Sequence, residues 1–127
     1  MSDPTRTARE VVELYNLVVW NEHDIQLAEE LLGDNVIRHE VGEAHTLTHA
    51  QAVKRVADMW ELVESLRFDL KIVIDGGDGE HVAIVYDSTV TAGDGSETNI
   101  ASIEVFRVLD GKIVEVWNCG LKQGVWN

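Results

Sequence analysis

From Arg67 onward the apolar residues recur at every second position, with Phe68, Leu70, Ile72 and Ile74 leading into the turn Asp75-Gly76-Gly77-Asp78-Gly79. That period places the apolar side chains of a strand on one face. Further runs follow at His81 to Thr91, Glu97 to Leu109 and Lys112 to Cys119, separated by Ala92 to Ser96 and by Asp110-Gly111. Asp-Gly between two alternating runs is the strongest short-range hairpin signal, because both residues tolerate the positive φ of a two-residue turn. Residues 67 to 119 are therefore expected to form a curved antiparallel sheet ending in the hairpin IEVFRVLDGKIVEVWN.

The first half has a different period. Val11, Leu14, Tyr15 and Val18 repeat at helical spacing; Asp3 can cap that helix with Pro4 in its first turn, and it ends near Trp20. Asp24 is an N-cap for a second helix carrying Leu27, Leu31 and Leu32, which Gly33 is placed to stop through a left-handed residue. Asn35 to Val41 reads as a brief strand. Thr48 with Gln51 fits a capping box, and Val53, Val56, Ala57, Trp60 and Val63 trace one face of a third helix. Helices followed by strands give an α+β domain in which three N-terminal helices close over the sheet and enclose a small-molecule pocket.

The chain of 127 residues has no long Pro- or Ser-rich linker, so residues 1–127 are expected to share one core as a single domain. No apolar run approaches the roughly 20 residues of a membrane-spanning helix. Ten Lys and Arg against 23 Asp and Glu give 10 − 23 = −13, a field that repels phosphate backbones and anionic lipid surfaces. Nucleic acid and membrane are thus not expected partners. Cys119 is the single cysteine, which excludes an intrachain disulfide, and the opening residues lack the apolar core of a secretory signal. A cytoplasmic location is expected, with Cys119 as a small buried hydrophobe.

The run Thr98 to Val108 is apolar on both sides. Ile100, Phe106 and Val108 share one face, and Ala101, Ile103 and Val105 the other. A sheet with one wet face does not look like this. One face meets the helices, and the other is most simply covered by a second copy, so a homodimer packed through the sheet is expected.

At the last hairpin, FRVLDGKIVEVWN resembles the C-terminal signature of the SnoaL-like polyketide cyclases within the nuclear transport factor 2-like superfamily. VVWNEHDIQLAEELLGDNVIRHEVG is similar to the opening of that superfamily, and the resemblance runs from about Val11 to Asn118. It implies a cone of highly curved sheet whose mouth is closed by helices. Architecture alone does not select among the cyclases, ketosteroid isomerases, dehydratases, epoxide hydrolases and binding proteins that share it.

Candidate chemistry falls on a few polar exceptions. Glu104 shares a strand face with Ile100, Ser102, Phe106 and Val108, where desolvation raises a carboxyl pKa. By resemblance it falls where the ketosteroid isomerases keep a protonated acid that donates to an oxyanion. The other reading of Glu104 is an ion pair with Arg38 or Lys112. His39 lies where the resemblance places a general base, on the strand Val36 to Val41, and imidazole suits proton transfer near neutral pH. A satisfied core histidine is the competing reading. Asn118 stands where many SnoaL-like cyclases carry a catalytic Asp, and Leu121 where they carry a second one. An amide accepts no proton at neutral pH, but it can hold an enolate or carbonyl by hydrogen bonding.

The resemblance also places an oxyanion-donating Tyr on the first helix, at Asn16 or, with one residue of slip, Tyr15. Tyr86, Trp60 and Phe106 complete the expected substrate-binding set. His39, His45 and His49 fit no zinc spacing, and Thr48 already accounts for its segment as a cap, so neither metal nor cofactor is expected. An epoxide hydrolase needs Asp-Arg-Asp inside the cone, whereas Asp87 and Arg107 alternate onto the wrong face. The expected function is a cofactor-independent acid/base enzyme of isomerase, dehydratase or cyclase type acting on an apolar, oxygenated small molecule. His39, Glu104 and Asn118 would be its catalytic residues. The alternative is a non-catalytic dimeric module that binds a hydrophobic ligand or a protein in the same cone.

Overall fold

The computed structural model describes residues 6–127, so the expected cap at Asp3 and Pro4 lies outside the described residues. Thr7 caps the first helix instead. Its Oγ1 accepts from the Glu10 N–H at 3.1 Å, and its own N–H donates to Glu10 Oε1 at 3.0 Å. Helix α1 (Ala8–Leu14) runs through a π-helical segment (Tyr15–Val19) into a short α2 (Trp20–Glu22), and left-handed His23 ends it. Asn21 ties this end to the sheet, because its amide both donates to and accepts from the backbone of Phe68, at 3.1 and 2.7 Å. Asp24 caps α3 (Ile25–Leu31) as expected, accepting from the Leu27 N–H.

Gly33 does not adopt the left-handed conformation expected of a helix stop. Leu32 is already extended, and β1 (Leu32–Glu40) begins there. A Cβ at position 33 would lie 3.0 Å from the Ile113 carbonyl oxygen and 3.2 Å from a Val114 methyl. This glycine serves close approach of two strands, not a turn.

A second strand, β2 (Glu43–Thr48), follows in a stretch to which the sequence reading assigns no strand, and Thr48 and Gln51 form the anticipated capping box of α4 (His49–Leu62). The remaining strands are β3 (Ser65–Asp75), β4 (His81–Thr91), β5 (Glu97–Leu109), β6 (Lys112–Asn118) and the short β7 (Lys122–Gln123). Their order is β2-β1-β6-β5-β4-β3, with β7 beside the first half of β5. The sheet is mixed and unclosed. Among the described residues only β1 and β6 pair in parallel, while the strands β3 to β6 pair antiparallel as expected for residues 67 to 119. Asp110 and Gly111 both have positive φ (52° and 75°), the geometry that Asp-Gly encodes, and Leu109 pairs with Lys112 across the turn.

Helix α1 crosses the concave face against β3 to β6, and α4 lies over β1 and β2. Their meeting forms the core of Val11, Val12, Val19, Leu31, Ile84, Phe106, Ile113 and Val116, all essentially inaccessible. The architecture is the α+β cone with helices at its mouth. Among the described residues no helix is long and apolar enough to cross a membrane.

One irregularity redistributes the apolar residues of β3. A bulge between Leu70 and Ile72 breaks the alternation, so Phe68 and Leu70 pair with Ser88 and Tyr86, whereas Ile72 and Ile74 pair with Val85 and Ala83. The extra residue flips every later side chain to the other face. Ile72 and Ile74 are consequently 51% and 54% exposed on the convex side. Cys119 is exposed as well, not buried as expected.

Candidate active site

Inward-facing strand positions converge on one cavity of about 120 Å³, partly open to solvent. Tyr86 comes from β4, Ile100 and Glu104 from β5, and Asn118 from the end of β6. Phe68 from β3 and Trp20 and Met59 from the helices supply apolar wall. The π-helical segment turns two consecutive residues, Tyr15 and Asn16, toward this space, which a regular α-helical turn does not favour. Asn16 is buried and donates Nδ2–H to the Val12 carbonyl at 2.8 Å.

Glu104 is the centre of the polar network. It sits directly opposite Asn118 in the β5–β6 register and diagonal to Tyr86 across β4. Asn118 Nδ2 and the Tyr86 hydroxyl both donate to Oε1, the latter at a loose 3.5 Å. Asn118 Oδ1 in turn accepts from the Gly120 N–H at 2.6 Å, and the Ser102 hydroxyl donates to the Gly120 carbonyl at 3.0 Å. With Oε1 taking both donors, Oε2 has no hydrogen-bond partner among the described residues, and Glu104 lines the cavity.

Burial pushes the Glu104 carboxyl above the ordinary carboxylate range, against the opposing pull of the Arg38 charge and the Asn118 hydrogen bond. Tyr86 is pushed up for the same first reason, burial, with the neighbouring Glu104 charge second. Its hydroxyl is a proton-bearing donor throughout the neutral range. Arg38 is pulled down by burial and then by the positive charge of Arg55. A carboxyl that is poised above its usual range, held by two neutral donors and open on one oxygen can give or take a proton from a cavity ligand.

His39 does not join this site. Val36 faces the core, so alternation sends Arg38 inward and His39 to the convex face. There His39 Nε2 lies 2.6 Å from Glu115 Oε2, and the ring stacks on Trp117 at 5.0 Å. Arg107 binds Glu80 and Glu115 on the same outer surface, and Asp87 faces a separate outer groove with Arg67. Both therefore lie outside the cavity, as alternation predicts. Two expected substrate contacts also fall elsewhere. Phe106 is core, packed edge-on against Tyr15 at 6.1 Å, because its side chain lies beneath α1. Trp60 is covered on one side by His23, stacked at 4.5 Å, and meets Trp20 edge-on.

The residues that sequence reasoning missed are chiefly Arg38 and Arg55. Each carried a legible signal. Arg38 has the same strand parity as Val36, and Arg55 shares the α4 stripe of Ala52, Val56 and Met59 at i+3 and i+4 spacing. Lys112, the other candidate partner for Glu104, instead donates to the Glu30 carbonyl.

Comparison with known proteins agrees with this architecture. A SnoaL-like polyketide cyclase from Agrobacterium tumefaciens superposes with a TM-score of 0.75 at 17% identity, covering 93% of each chain. The epoxide hydrolase/cyclase-like enzyme SalBIII of pyran ring formation in salinomycin gives 0.76 at 20% identity, over 94% of this chain and 95% of its own. An LEH-like epoxide hydrolase from M. tuberculosis gives 0.73 at 20%, over 88% and 80%. A search of curated protein sequences finds no significant match. At these identities the structural likeness speaks for the fold, while the family model of SnoaL-like polyketide cyclases matches residues 9–125, nearly the whole chain. On that match, this chain belongs to the SnoaL-like polyketide cyclase family.

Proposed function

We propose that the protein is a cofactor-independent acid/base enzyme of isomerase, dehydratase or cyclase type, with Glu104 as the group that moves the proton. The observation that carries this reading is a desolvated carboxyl in the cavity lining, with one oxygen held by Asn118 and Tyr86 and the other without a hydrogen-bond partner among the described residues. Glu104 takes a proton from, or hands one to, a carbon or oxygen of the ligand. The Tyr86 hydroxyl, only loosely engaged at 3.5 Å, can turn to donate to a developing oxyanion. The Trp20, Met59 and Phe68 walls suit an apolar body.

Asn118 favours a second reading, a non-catalytic binding module, because it replaces an acid with an amide and does so as a support for Glu104. A base-catalysed ring opening separates the two. With 5-nitrobenzisoxazole, whose C–H deprotonation releases a coloured phenolate, the enzyme reading expects turnover above that of free carboxylate, reduced about a hundredfold or more by Glu104→Gln. Equal rates for wild type and variant would remove Glu104 as the proton-moving group and leave the binding module.

Assembly through the convex face belongs to the same reading. Ile72, Ile74 and Ile103 are exposed on it, and Trp126, at 45% exposure, extends the apolar surface beside Ile103. Contiguous exposed apolar surface on a globular chain marks an interaction site. A second copy is the proposed occupant, and a homodimer with its cavities facing away from the shared sheets is the expected form.

A further inference from the structure

Among the described residues Glu104 is the only acid lining the cavity, yet two guanidinium groups line it as well. Arg38 arrives from β1 and Arg55 from α4, so strand and helix bring two cations to one wall. Neither makes an ion pair or a side-chain hydrogen bond among the described residues, and both are half-buried. Two other arginines do find carboxylates: Arg107 reaches Glu80 at 3.0 Å and Glu115 at 3.6 Å, and Arg9 reaches Glu13 at 3.5 Å. The contrast matters in a chain of net charge −13, which does not lack acids.

A partly desolvated guanidinium without a partner is costly, and placing two side by side adds their mutual repulsion. The pull of Arg55 on Arg38 is the second cause of the lowered Arg38 ionisation, after burial. Glu104 acts on Arg38 only through space, and the Asn118 and Tyr86 donors engage its Oε1 alone. The local charge of the lining is therefore positive inside a strongly acidic protein. The apolar part of the lining, Trp20, Met59, Leu66 and Phe68, carries no charge at all.

We propose that Arg38 and Arg55 form an anion subsite, and that the cavity takes an organic carboxylate with an apolar, aromatic-sized body. A planar carboxylate matches the guanidinium fork and can bridge both residues, relieving their repulsion, while the body lies on the apolar wall. A volume near 120 Å³ is about that of a cavity known to hold one benzene ring, with the open mouth leaving room for an extension. The subsite rests on the reading that this cavity is the ligand site, and it names the class of ligand: an acidic molecule whose carboxylate is fixed by the arginines beside the Glu104 carboxyl. The surrounding acidic surface does not oppose this choice at short range, because solvent screens charges beyond about 10 Å whereas the two guanidinium groups act in the cavity itself.

The test is calorimetric titration of the full chain at pH 7.5 with benzoate, cinnamate and 2-naphthoate, each beside its neutral amide. Variants Arg38→Met and Arg55→Met keep an apolar stem but remove the charge. The expected result is a preference of about tenfold or more for a carboxylate over its amide in the wild type. Each variant should lose most of that preference while its affinity for the amide stays within about twofold. Retained amide binding also reports that the cavity has folded. Equal affinity for acid and amide in the wild type, or a preference that survives both substitutions together, overturns the anion subsite and leaves the cavity reading standing. Failure of every acid and every amide to bind overturns both.

Discussion

Asn118 donates Nδ2–H to Glu104 across directly paired positions of β6 and β5, while Gly120 N–H holds Asn118 Oδ1 at 2.6 Å from behind. The backbone donor fixes which end of the amide faces the cavity. Only the nitrogen can point at Glu104, so the pair is a carboxyl with a permanent donor instead of two acids competing for one proton. An Asp at this position would meet the same Gly120 N–H but turn its second oxygen on Glu104. With an amide at position 118, Glu104 on β5 is the one acid of this pair.

The hydrogen bond from Asn118 favours the charged form of Glu104, whereas burial, the larger influence, favours the neutral form. Asn118→Leu should therefore move the Glu104 ionisation further up, and 13C-detected NMR titration of labelled Glu side chains would show it. An unchanged or lowered midpoint would mean that the Asn118 contact does not act on the carboxyl.

The same ionisation makes stability depend on pH. In the unfolded chain Glu104 titrates near its ordinary 4.5, and folding raises it. Its contribution to stability is complete below the unfolded value and is lost as pH rises through the folded one, because burying the ionised form opposes folding. Glu104→Gln removes this dependence. Compared with wild type, the variant should gain in melting temperature as pH is taken from about 4.5 to 8, since 4.5 is near the unfolded value. A difference in melting temperature that stays flat across that range would show the carboxyl to be unperturbed.

His39 gives a contrasting expectation. Its contacts are Glu115 and Trp117 on the convex face, away from the cavity. His39→Ala should leave benzisoxazole turnover and ligand affinity within about twofold, and cost no more than about 1 kcal/mol of stability, the scale of a partly exposed ion pair. A loss of turnover comparable with that of Glu104→Gln would return the general-base role to His39.

How much of this was legible in the sequence depended on whether the governing interaction was local. Asp110-Gly111 encodes its own backbone geometry, so the β5–β6 hairpin was legible in a dipeptide, whereas an unbroken count from it sets Trp117 opposite Glu104, and only the register shift between Arg107 and Val108 brings Asn118 there. Strand β2 has no such signal: Glu43 to Thr48 is exposed at nearly every position and makes no alternating pattern. The bulge after Leu70 left Ile72 and Ile74 in apparent phase with Phe68, although the pairing shows them on opposite faces. Parallel pairing of β1 with β6 joins segments about eighty residues apart, and Gly33, its most specific mark, reads equally well as a helix stop. Arg38 and His39 differ by one position, and a one-residue choice of parity decides which of them reaches the site.

Gly33 offers a stability test of that parallel junction. An added methyl would meet a backbone oxygen at 3.0 Å and the Val114 side chain at 3.2 Å, and the oxygen belongs to a paired strand that cannot turn aside. Gly33→Ala should cost about 1 to 3 kcal/mol in urea denaturation, the range of overpacking, with an unchanged slope. If position 33 instead had open space around a backbone conformation that any residue adopts, the alanine would stabilise the chain by a few tenths of a kcal/mol or more.

The convex face gives the last expectation, and its logic comes from the bulge. Without the extra residue at Lys71, Ile72 and Ile74 would point into the cone; with it they join Ile103 outside, at 51%, 54% and 43% exposure. Side chains held this way add nothing to the monomer's core, so the double variant Ile72→Lys with Ile103→Lys should leave the melting temperature of dilute protein nearly unchanged. Between two copies, the same lysines would bring like charges together across an apolar interface and oppose association. Sedimentation equilibrium at micromolar concentration should therefore give a dimer for the wild type and a monomer for the variant. A wild type that is monomeric at that concentration removes the second copy as occupant of this face. A variant that remains dimeric places the interface elsewhere, away from the strands that the bulge turned outward.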